Sequence, residues 1–190
     1  MEPRLYENQL FAGQLPLSAA GESSEFEKCT FSGCDLSSRV FLSDKFIDCL
    51  FISCNLAMAK LKNCQLNNVG FRDCKLLGLN FTECADTVFS VKFENCILDY
   101  AVFTKKKMPQ TRFKGCSMKS TDFTECDLSK SDFSNSDLTS AVFSRTTLKE
   151  ADFLTAENYI IDPERNPVKK AKFSIYGAAG LLTKYNVILE

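Results

Sequence analysis

Ser120 to Phe153 read S-T-D-F-T-E-C-D-L-S-K-S-D-F-S-N-S-D-L-T-S-A-V-F-S-R-T-T-L-K-E-A-D-F. A large apolar residue stands at every fifth position of this stretch, namely Phe123, Leu128, Phe133, Leu138, Phe143, Leu148 and Phe153. A small residue stands two positions before each of them, namely Thr121, Cys126, Ser131, Ser136, Ala141, Thr146 and Ala151. Because a fixed short period is the signature of repeat architectures, this stretch decides how the rest of the chain is interpreted.

A period of five residues fits neither an amphipathic helix nor a continuous strand. In a helix, a step of five residues turns about 140°, which scatters the large residues around the axis. In a strand, side chains alternate with a period of two, so an odd step would place successive large residues on opposite faces. The pattern is satisfied if the chain turns after each repeat and points its small and large residues inward. We therefore predict an all-β solenoid of stacked coils.

The type of large residue repeats every twenty positions, which predicts four sides per coil. Phe113 and Phe133 are separated by twenty residues, as are Met118 and Leu138. The pattern divides the chain into an irregular N-terminal cap at 1–23, a repeat region at 24–156 and a C-terminal cap and dimerisation segment at 157–190. In the first of these, Pro16 and Gly21 stand where large residues are expected. Such atypical ends are common in solenoids, because terminal coils need caps.

The register of the repeat breaks once, near residues 82–92. Twelve residues separate Phe81 from Phe93, which is two repeats plus two residues. We interpret Val88 as an intervening large position, with a bulge of two residues around Ala85–Thr87. This interpretation places Phe93 in the all-Phe column that contains Phe31, Phe51 and Phe71. The alternative is one long loop that replaces a repeat step.

Three charged residues fall at inward positions, where an unpaired charge would be costly. Arg39 and Asp44 have opposite charges on successive sides, so we expect them to pair or to swing outward. Lys106 belongs to the basic run Lys105–Lys107, which precedes Pro109, and we expect the coil to bulge there and the lysines to swing out. The run then forms a solvated corner or, alternatively, a basic contact patch. The candidate projecting contacts are Asp86, Thr87, Lys105, Lys106 and Lys107.

The ten cysteines occupy inward positions and are predicted to be structural thiols, with a redox event as the lesser alternative. A free Cys is a small residue that is easily buried, and stacked parallel side chains give poor disulfide geometry. The chain has no His, no C-x-x-C pair and no glycine-rich phosphate loop. We therefore expect no catalytic residue, no metal site and no cofactor.

The bulk composition favours a cytoplasmic binding protein. The net charge of −1 gives no general basic signal for nucleic acid. No apolar run approaches the length of a membrane-spanning helix, and the N-terminal residues do not resemble a secretory signal.

The C-terminal segment predicts a short helix that covers the last coil. Ser174 is the expected N-cap of a helix over residues 175–185, which ends near Asn186. Apolar residues along and beyond this helix predict a homodimer interface, because they would otherwise be left exposed. The interface residues are Tyr176, Leu181, Leu182, Tyr185, Val187, Ile188 and Leu189.

The repeat, in which Ala, Ser or Cys precedes Asp or Asn and then Leu or Phe, resembles that of the pentapeptide-repeat family between about Phe26 and Phe153. The ending N-Y-I-I-D-P…K-F-S…L-L-T-K-Y-N-V resembles the cap of its Qnr quinolone-resistance and albicidin-resistance branch. The resemblance implies a right-handed quadrilateral parallel β-helix that forms a homodimer through the C-terminus. The long projecting loops typical of the Qnr branch are absent.

The same resemblance implies a function in protecting or modulating an enzyme of DNA topology. In the Qnr branch the rod mimics B-DNA and binds bacterial DNA gyrase or topoisomerase IV, which protects the enzyme from a quinolone or a peptide-type toxin or inhibits it. It implies no direct contact with nucleic acid or a membrane. The alternative is a generic cytosolic scaffold for protein–protein interactions.

An acidic surface is the candidate binding site. Residues 121–153 contain seven acids and three bases, whereas residues 91–119 contain two acids and seven bases. Two such acidic zones in a dimer would form a central belt with a charge near −8, which could steer toward a basic DNA-binding surface. Alternatively, the aspartates of the repeat simply face water and bond to the corner backbone. The candidates are Asp122, Asp127, Asp132, Asp137 and Asp152.

Overall fold

The computed structural model describes residues 3–13 and 23–188, so that Pro16, Gly21 and Leu189 lie outside the described residues. Strands occur at Arg4–Glu7 (β1), Leu10–Ala12 (β2), Ser24–Glu27 (β3), Thr30–Ser32 (β4), Val40–Leu42 (β5), Lys45–Ile47 (β6), Leu50–Ile52 (β7), Lys60–Lys62 (β8), Gln65–Arg72 (β9), Phe89–Glu94 (β10), Phe113–Lys114 (β11), Asp152–Phe153 (β12) and Lys172–Phe173 (β13). The helices are a 3₁₀ turn at Phe81–Glu83 and, at the C-terminus, 3₁₀ turns at Tyr176–Ala178 and Thr183–Tyr185 around the α-helix Ala179–Leu182 (α1).

The strands stack in a parallel β-helix of about eight coils with four faces, which confirms the predicted fold class. Phe26 lies opposite Phe46, and Phe31 lies opposite Phe51, at the predicted interval of twenty residues. Single bridges, such as that from Asp132 to Asp152, continue the stacking where the strands are too short to be assigned.

Four columns of inward residues define the faces, which we name A to D in chain order. Face A is centred on Phe26, Phe46, Leu66, Phe89, Met108 and Leu128; face B on Phe31, Phe51, Phe71, Phe93, Phe113 and Phe133; face C on Leu36, Leu56, Leu76, Leu98, Met118 and Leu138; face D on Phe41, Leu61, Phe81, Phe103, Phe123 and Phe143.

The corners between faces explain why the chain can turn after every repeat. The residue two places after the large one adopts the left-handed conformation, as in Asp48 (φ 53°) and Asn135 (φ 55°). Asn, Asp and Gly tolerate this conformation best, whereas bulky residues pay strain there. The polar residues of the repeat are thus placed where the backbone turns.

The column of phenylalanines on face B forms the most regular part of the core. Successive rings from Phe11 to Phe173 stack with centroid distances of 4.4 to 5.4 Å. The stacked pair Phe71 and Phe93 spans the register break, which confirms the predicted alignment. A bulge is also confirmed, because the strand register shifts between Phe89 and Val91.

The residue that fills the core at the register break was predicted wrongly. Val88 is 43 % exposed, whereas Phe89 packs against the core and lies opposite Leu66. The inserted residues therefore end one position later than the sequence pattern indicated. The larger aromatic side chain takes the inward position, because burying it removes more apolar surface from water.

All ten cysteines are buried and free, which confirms the prediction of structural thiols. Burial raises the pKa of the thiols of Cys49, Cys84 and Cys126 to about 12. Because the thiolate is the reactive form, these side chains are inert near neutral pH.

Lys106 contradicts the expectation that the lysines of the basic run swing outward. Its side chain is only 2 % exposed and occupies the inward position of face A. Its Nζ donates hydrogen bonds to the carbonyl oxygen of Cys84 at 2.7 Å and to Oδ1 of Asp86 at 2.6 Å, and lies 4.9 Å from the ring centre of Phe89. The bulge supplies these partners, so the charge stays inside.

The side chains of Arg39 and Asp44 lie in different environments. Arg39 is half-buried, with its guanidinium 5.1 Å from the ring centre of Phe41. Asp44 stays buried and accepts hydrogen bonds from the backbone N–H groups of Ser24 at 2.7 Å and Leu42 at 3.2 Å. Burial raises the pKa of Asp44 above its usual value, against the opposing effect of these hydrogen bonds and of Arg39.

We expect Asp44 to make the protein less stable as the pH rises. Because the pKa of Asp44 is higher in the folded state, its contribution to stability is complete below the unfolded value of about 3.9 and is lost as the pH rises through the folded pKa. In Asp44→Asn this loss disappears, and the Asn can keep the bond to Ser24, as Asn166 does with the N–H of Thr146 at 2.9 Å. In urea unfolding at pH 3.5 to 7, the free energy of unfolding of Asp44→Asn should increase relative to that of the wild type as the pH rises. Parallel stability curves would contradict the assignment.

The C-terminal helix packs closely on the last coil. Oγ of Ser174 accepts a hydrogen bond from the N–H of Gly177 at 2.9 Å, as predicted for an N-cap, and Asn186 ends the helical segment in the left-handed conformation. A Cβ atom at Gly177 or Gly180 would lie within 2.1 Å of atoms of Tyr159. Only glycine therefore permits this approach, which covers the buried ring of Tyr159.

Candidate protein-interaction surface

The candidate aspartates encircle the rod instead of lining one face. Asp122 lies on face D, Asp127 on face A, Asp132 on face B and Asp137 on face C, and Asp152 stacks on Asp132. We call Asp122, Asp127, Asp132 and Asp137 the acidic ring. It follows directly from the repeat, because each face of one coil carries the same consensus position.

Each aspartate of the ring also holds a corner of the coil. Its Oδ1 accepts a hydrogen bond from the backbone N–H two residues later, at 2.8 to 3.0 Å, as in the bonds from Thr124 to Asp122 and from Ser129 to Asp127. Asn55 makes the equivalent bond at 3.1 Å with the N–H of Ala57. The carboxylates therefore have a structural role, and their second oxygens remain for other partners.

Cations one coil away pair with part of this acidic surface. Asp132 lies 3.9 Å from Arg112, Asp137 3.4 Å from Lys119, and Asp152 3.1 Å from Lys172. These pairs are partly exposed, so each contributes little to stability. Within residues 3–13 and 23–188, Asp122 and Asp127 form no ion pair, which leaves faces D and A with the most available negative charge.

Asp137 remains ionised down to a low pH. Partial burial raises the pKa of its carboxyl, but hydrogen bonds from Asn158 and Thr139 and the proximity of Lys119 outweigh burial and bring the pKa to about 2. The Asn158 bond is 2.8 Å long and joins the ring to the C-terminal cap.

The charge density of this zone approaches that of DNA. Residues 121–153 extend about 8 Å along the axis, at roughly 4.8 Å per coil. Their net charge is −4, whereas duplex DNA of the same length carries about five charges, at one per roughly 1.7 Å. The whole chain carries only −1, so a resemblance to DNA in charge is confined to this zone.

The bulge and the basic run form a second exposed feature. Asp86 has 85 % of its side chain exposed, and Thr87, Lys105 and Lys107 are also exposed. Lys106 is the exception described above and cannot project to a partner. The remaining four residues lie near one another, because Lys106 ties Asp86 to the coil that carries the lysines.

The C-terminal apolar residues that were predicted to form an interface are largely exposed. Tyr176 and Ile188 project almost fully into solvent, Leu182, Tyr185 and Val187 are also exposed, and Leu181 packs partly against the core. The sequence interpretation missed Ile175, which is as exposed as Tyr176. The hydroxyl of Tyr185 donates to Glu164 at 2.6 Å, so this ring has a partner within the chain.

Other kinds of site are not found in the described part of the chain. Residues 3–13 and 23–188 contain no cluster of metal-ligating side chains. None of the helices in these ranges has the length and apolar character needed to cross a membrane. A cleft of about 640 Å³ lies between α1 and the last coil and is lined by Tyr159 and Tyr176.

Comparison with known proteins identifies both the repeat and the architecture. The chain matches the family model of the pentapeptide repeat region at residues 24–100 and 86–157. A comparison with curated proteins finds no match.

Solved structures with the same architecture include two trypsin-treated forms of QnrB1, a plasmid-mediated fluoroquinolone resistance protein. The first has a TM-score of 0.70 and 20 % identity, covering 98 % of this chain and 92 % of QnrB1. The second has a TM-score of 0.60 and 21 % identity, covering all of both chains. HetL, a pentapeptide repeat protein involved in heterocyst differentiation regulation in the cyanobacterium Nostoc, has a TM-score of 0.44 and 15 % identity over 88 % of this chain and 84 % of HetL. The similarity to the two forms of QnrB1 supports the fold alone.

Proposed function

The chain belongs to the pentapeptide repeat family, and on this premise we propose that it is a cytoplasmic, non-enzymatic protein that mimics DNA. Its target is a bacterial type II topoisomerase, DNA gyrase or topoisomerase IV, which it protects from quinolones or a peptide-type toxin such as albicidin. The observation that carries this proposal is the acidic ring, whose charge density approaches that of DNA on a rigid rod. The architecture shared with QnrB1 supports it.

The mechanism is competition for a basic surface. A DNA-binding surface is lined by cations that neutralise phosphates, and a rod with comparable charge per length can occupy it. The available carboxylates of Asp122 and Asp127 make the first contacts, and those of Asp132 and Asp137 can exchange their intrachain cations for cations of the target. Attraction of this kind speeds association and weakens as salt increases.

A C-terminal homodimer belongs to the same proposal. Exposed Tyr176 and Ile188 would be buried where two rods meet end to end. Residues 154–188 carry five bases and three acids, so this dimer presents two separated acidic zones instead of one belt near −8. A target with two equivalent basic sites fits such an arrangement.

A supercoiling assay tests the proposal. Relaxed plasmid, DNA gyrase and ATP are combined with a fluoroquinolone or albicidin, with and without this protein, and topoisomerase IV relaxation is measured in parallel. We expect the protein to restore activity in the presence of the drug or to inhibit the enzyme in its absence. Absence of rescue, of inhibition and of binding at low salt for both enzymes would overturn the proposal.

A generic scaffold for protein–protein interactions is the second candidate. It is favoured by the corner hydrogen bonds of the ring, since these explain the aspartates without any partner. The two functions separate in the same assay, because a scaffold with an unrelated partner leaves both topoisomerases unaffected.

A further inference from the structure

Face D carries an outward surface whose charges and apolar residues are arranged in a complementary order. From the N-terminal end, the outward pairs on its six coils are apolar, basic, neutral, neutral, an acid with a threonine, and a valine with a serine. These pairs are Val40 and Leu42, Lys60 and Lys62, Asn80 and Thr82, Val102 and Thr104, Asp122 and Thr124, and Val142 and Ser144. Reversing the order places Lys60 opposite Asp122 and Val40 opposite Val142, while Lys62 and Leu42 lie opposite the hydroxyl residues Thr124 and Ser144.

We propose that face D is the interface of an antiparallel side-by-side dimer with a second copy of this chain. A two-fold axis across the face, between the coils of Phe81 and Phe103, places each coil opposite the one related to it by reversal. Lys60 then faces Asp122 of the second copy, and Val40 faces Val142 of the second copy. Because the interface is isologous, every contact occurs twice.

The charges on this face lack ion-pair partners within their own chain. Among the described residues, Lys60, Lys62 and Asp122 form no ion pair, although cations elsewhere on the rod commonly pair with acids one coil away, as Lys45 does with Glu25 at 3.0 Å. Three coils separate Lys60 from Asp122 in one chain, which is about 14 Å at roughly 4.8 Å per coil. The second copy brings these opposite charges into contact.

The corner between faces C and D carries an exposed aromatic side chain and, one coil away, a glycine. Tyr100 is 62 % exposed and holds the left-handed conformation (φ 60°), a position at which Ser38, Ser120 and Ser140 stand in other coils. The exposure of its ring makes Tyr100 a candidate contact. Gly78 of the neighbouring coil has a φ of 66°, and the Met58 sulfur occupies the space where a side chain of Gly78 would lie.

The proposed two-fold axis joins these two features. The axis places the corner between faces C and D of one copy against the same corner of the second copy. Tyr100 of one copy then lies opposite Gly78 of the other. Tyrosine is enriched at the energetic centres of interfaces, and the flexible Met58 side chain that covers Gly78 can adapt its shape to the ring. At the opposite corner, Glu83 and Lys105 of the two copies are brought together with opposite charges.

The size of the face predicts a weak, reversible dimer. Face D measures about 29 Å along its six coils and about 15 Å across one side, which gives an area of roughly 430 Å² per copy. This area is smaller than the roughly 800 Å² per partner that a stable interface buries. The dimer should therefore depend on protein concentration and, through its ion pairs, on salt. It is distinct from the C-terminal dimer, and because it uses Asp122 of the acidic ring it would compete with a topoisomerase for that residue.

Cross-linking of mixed isotopic copies tests the inference. Unlabelled and ¹⁵N-labelled protein are mixed and treated with a carbodiimide, which joins an amine to a carboxylate without a spacer. We expect cross-linked peptides of mixed isotope composition that join Lys60 or Lys62 to Asp122. Within one chain these residues are about 14 Å apart, which is too far for a cross-link without a spacer. Their absence at high protein concentration and low salt would overturn the proposal.

Charge reversal provides a second readout by sedimentation velocity. Lys60→Asp and Asp122→Lys should each weaken the concentration-dependent association at least tenfold, and the two changes in one chain should restore it, because each copy supplies both residues. Lys114→Asp, on face B, is the matched control and should have no effect. Restoration excludes misfolding as the cause of a loss. Equal association of all variants, or a monomer that instead binds anionic phosphatidylglycerol vesicles through Lys60, would contradict the inference.

Discussion

Replacing Phe133 by alanine is expected to lower the free energy of unfolding by about 3–5 kcal/mol. The ring is fully buried and stacks between Phe113 at 5.1 Å and Phe153 at 4.5 Å. It also meets Phe123 and Phe143 edge to face. Truncation creates a cavity in a column whose backbone cannot collapse, because the coils are held apart by their ladder of hydrogen bonds.

Urea unfolding followed by circular dichroism measures this loss. Leu154→Ala is the matched control, since Leu154 belongs to the same face and coil region but is exposed, and it should change stability by less than about 0.5 kcal/mol. A Phe133→Ala variant as stable as the control would show that the aromatic column does not hold the rod together.

Removing the carboxylate of Asp86 is expected to cost about 3 kcal/mol, although Asp86 itself is highly exposed. Its partner Lys106 is buried and would keep only the carbonyl of Cys84 as an acceptor. An uncompensated buried charge is expensive, whereas an apolar side chain of similar length is not. The variant Lys106→Met should therefore be close to the wild type in stability.

The double variant Asp86→Ala with Lys106→Met separates these contributions. We expect it to recover most of the stability lost in Asp86→Ala, as measured by the urea midpoint. If both Asp86→Ala variants are equally destabilised, the carboxylate supports the bulge by some route other than Lys106. If neither is destabilised, the ion pair has no energetic importance.

The sequence alone was sufficient to predict the columns of the core. The period of five and the repetition of Phe at twenty positions determined which residues stack, and the pair Phe71 and Phe93 follows from the same pattern across the break. Inward cysteines were equally predictable, since most residues at this position are small. In each case one physical rule, burial at a fixed period, decides the outcome.

Details at the irregular positions were not predictable in this way. Val88 and Phe89 are both apolar neighbours, and the choice between them depends on how the bulge closes over Leu66. Lys106 lies inward because a carbonyl and a carboxylate from the bulge surround its amine, and no periodicity reveals such partners. The contact of Gly177 with Tyr159 likewise depends on the docking of the helix.

The candidate surface also has features that the sequence predicts and features that it does not. One aspartate lies on each face because a coil contains four repeats and each repeat forms one face. Asp137 and Asp132 form ion pairs, whereas Asp127, although stacked on Lys107, forms none within the described residues, and this difference depends on side-chain positions in adjacent coils. The structure therefore refines a uniform row of acids into a ring with unequal availability.

Binding of DNA gyrase to charge variants of the ring tests the proposed function most directly. Immobilised wild-type protein is compared at low and moderate salt with the pair Asp127→Asn and Asp132→Asn, which can keep the corner bonds, and with Asp127→Lys and Asp132→Lys. The pair Glu25→Lys and Glu27→Lys, near the other end of the rod, is the control. We predict salt-sensitive binding that weakens in the Asn pair, disappears in the Lys pair and persists in the control. Equal binding by all four proteins, or none by any of them, would contradict the proposal that the acidic ring is the site of DNA mimicry.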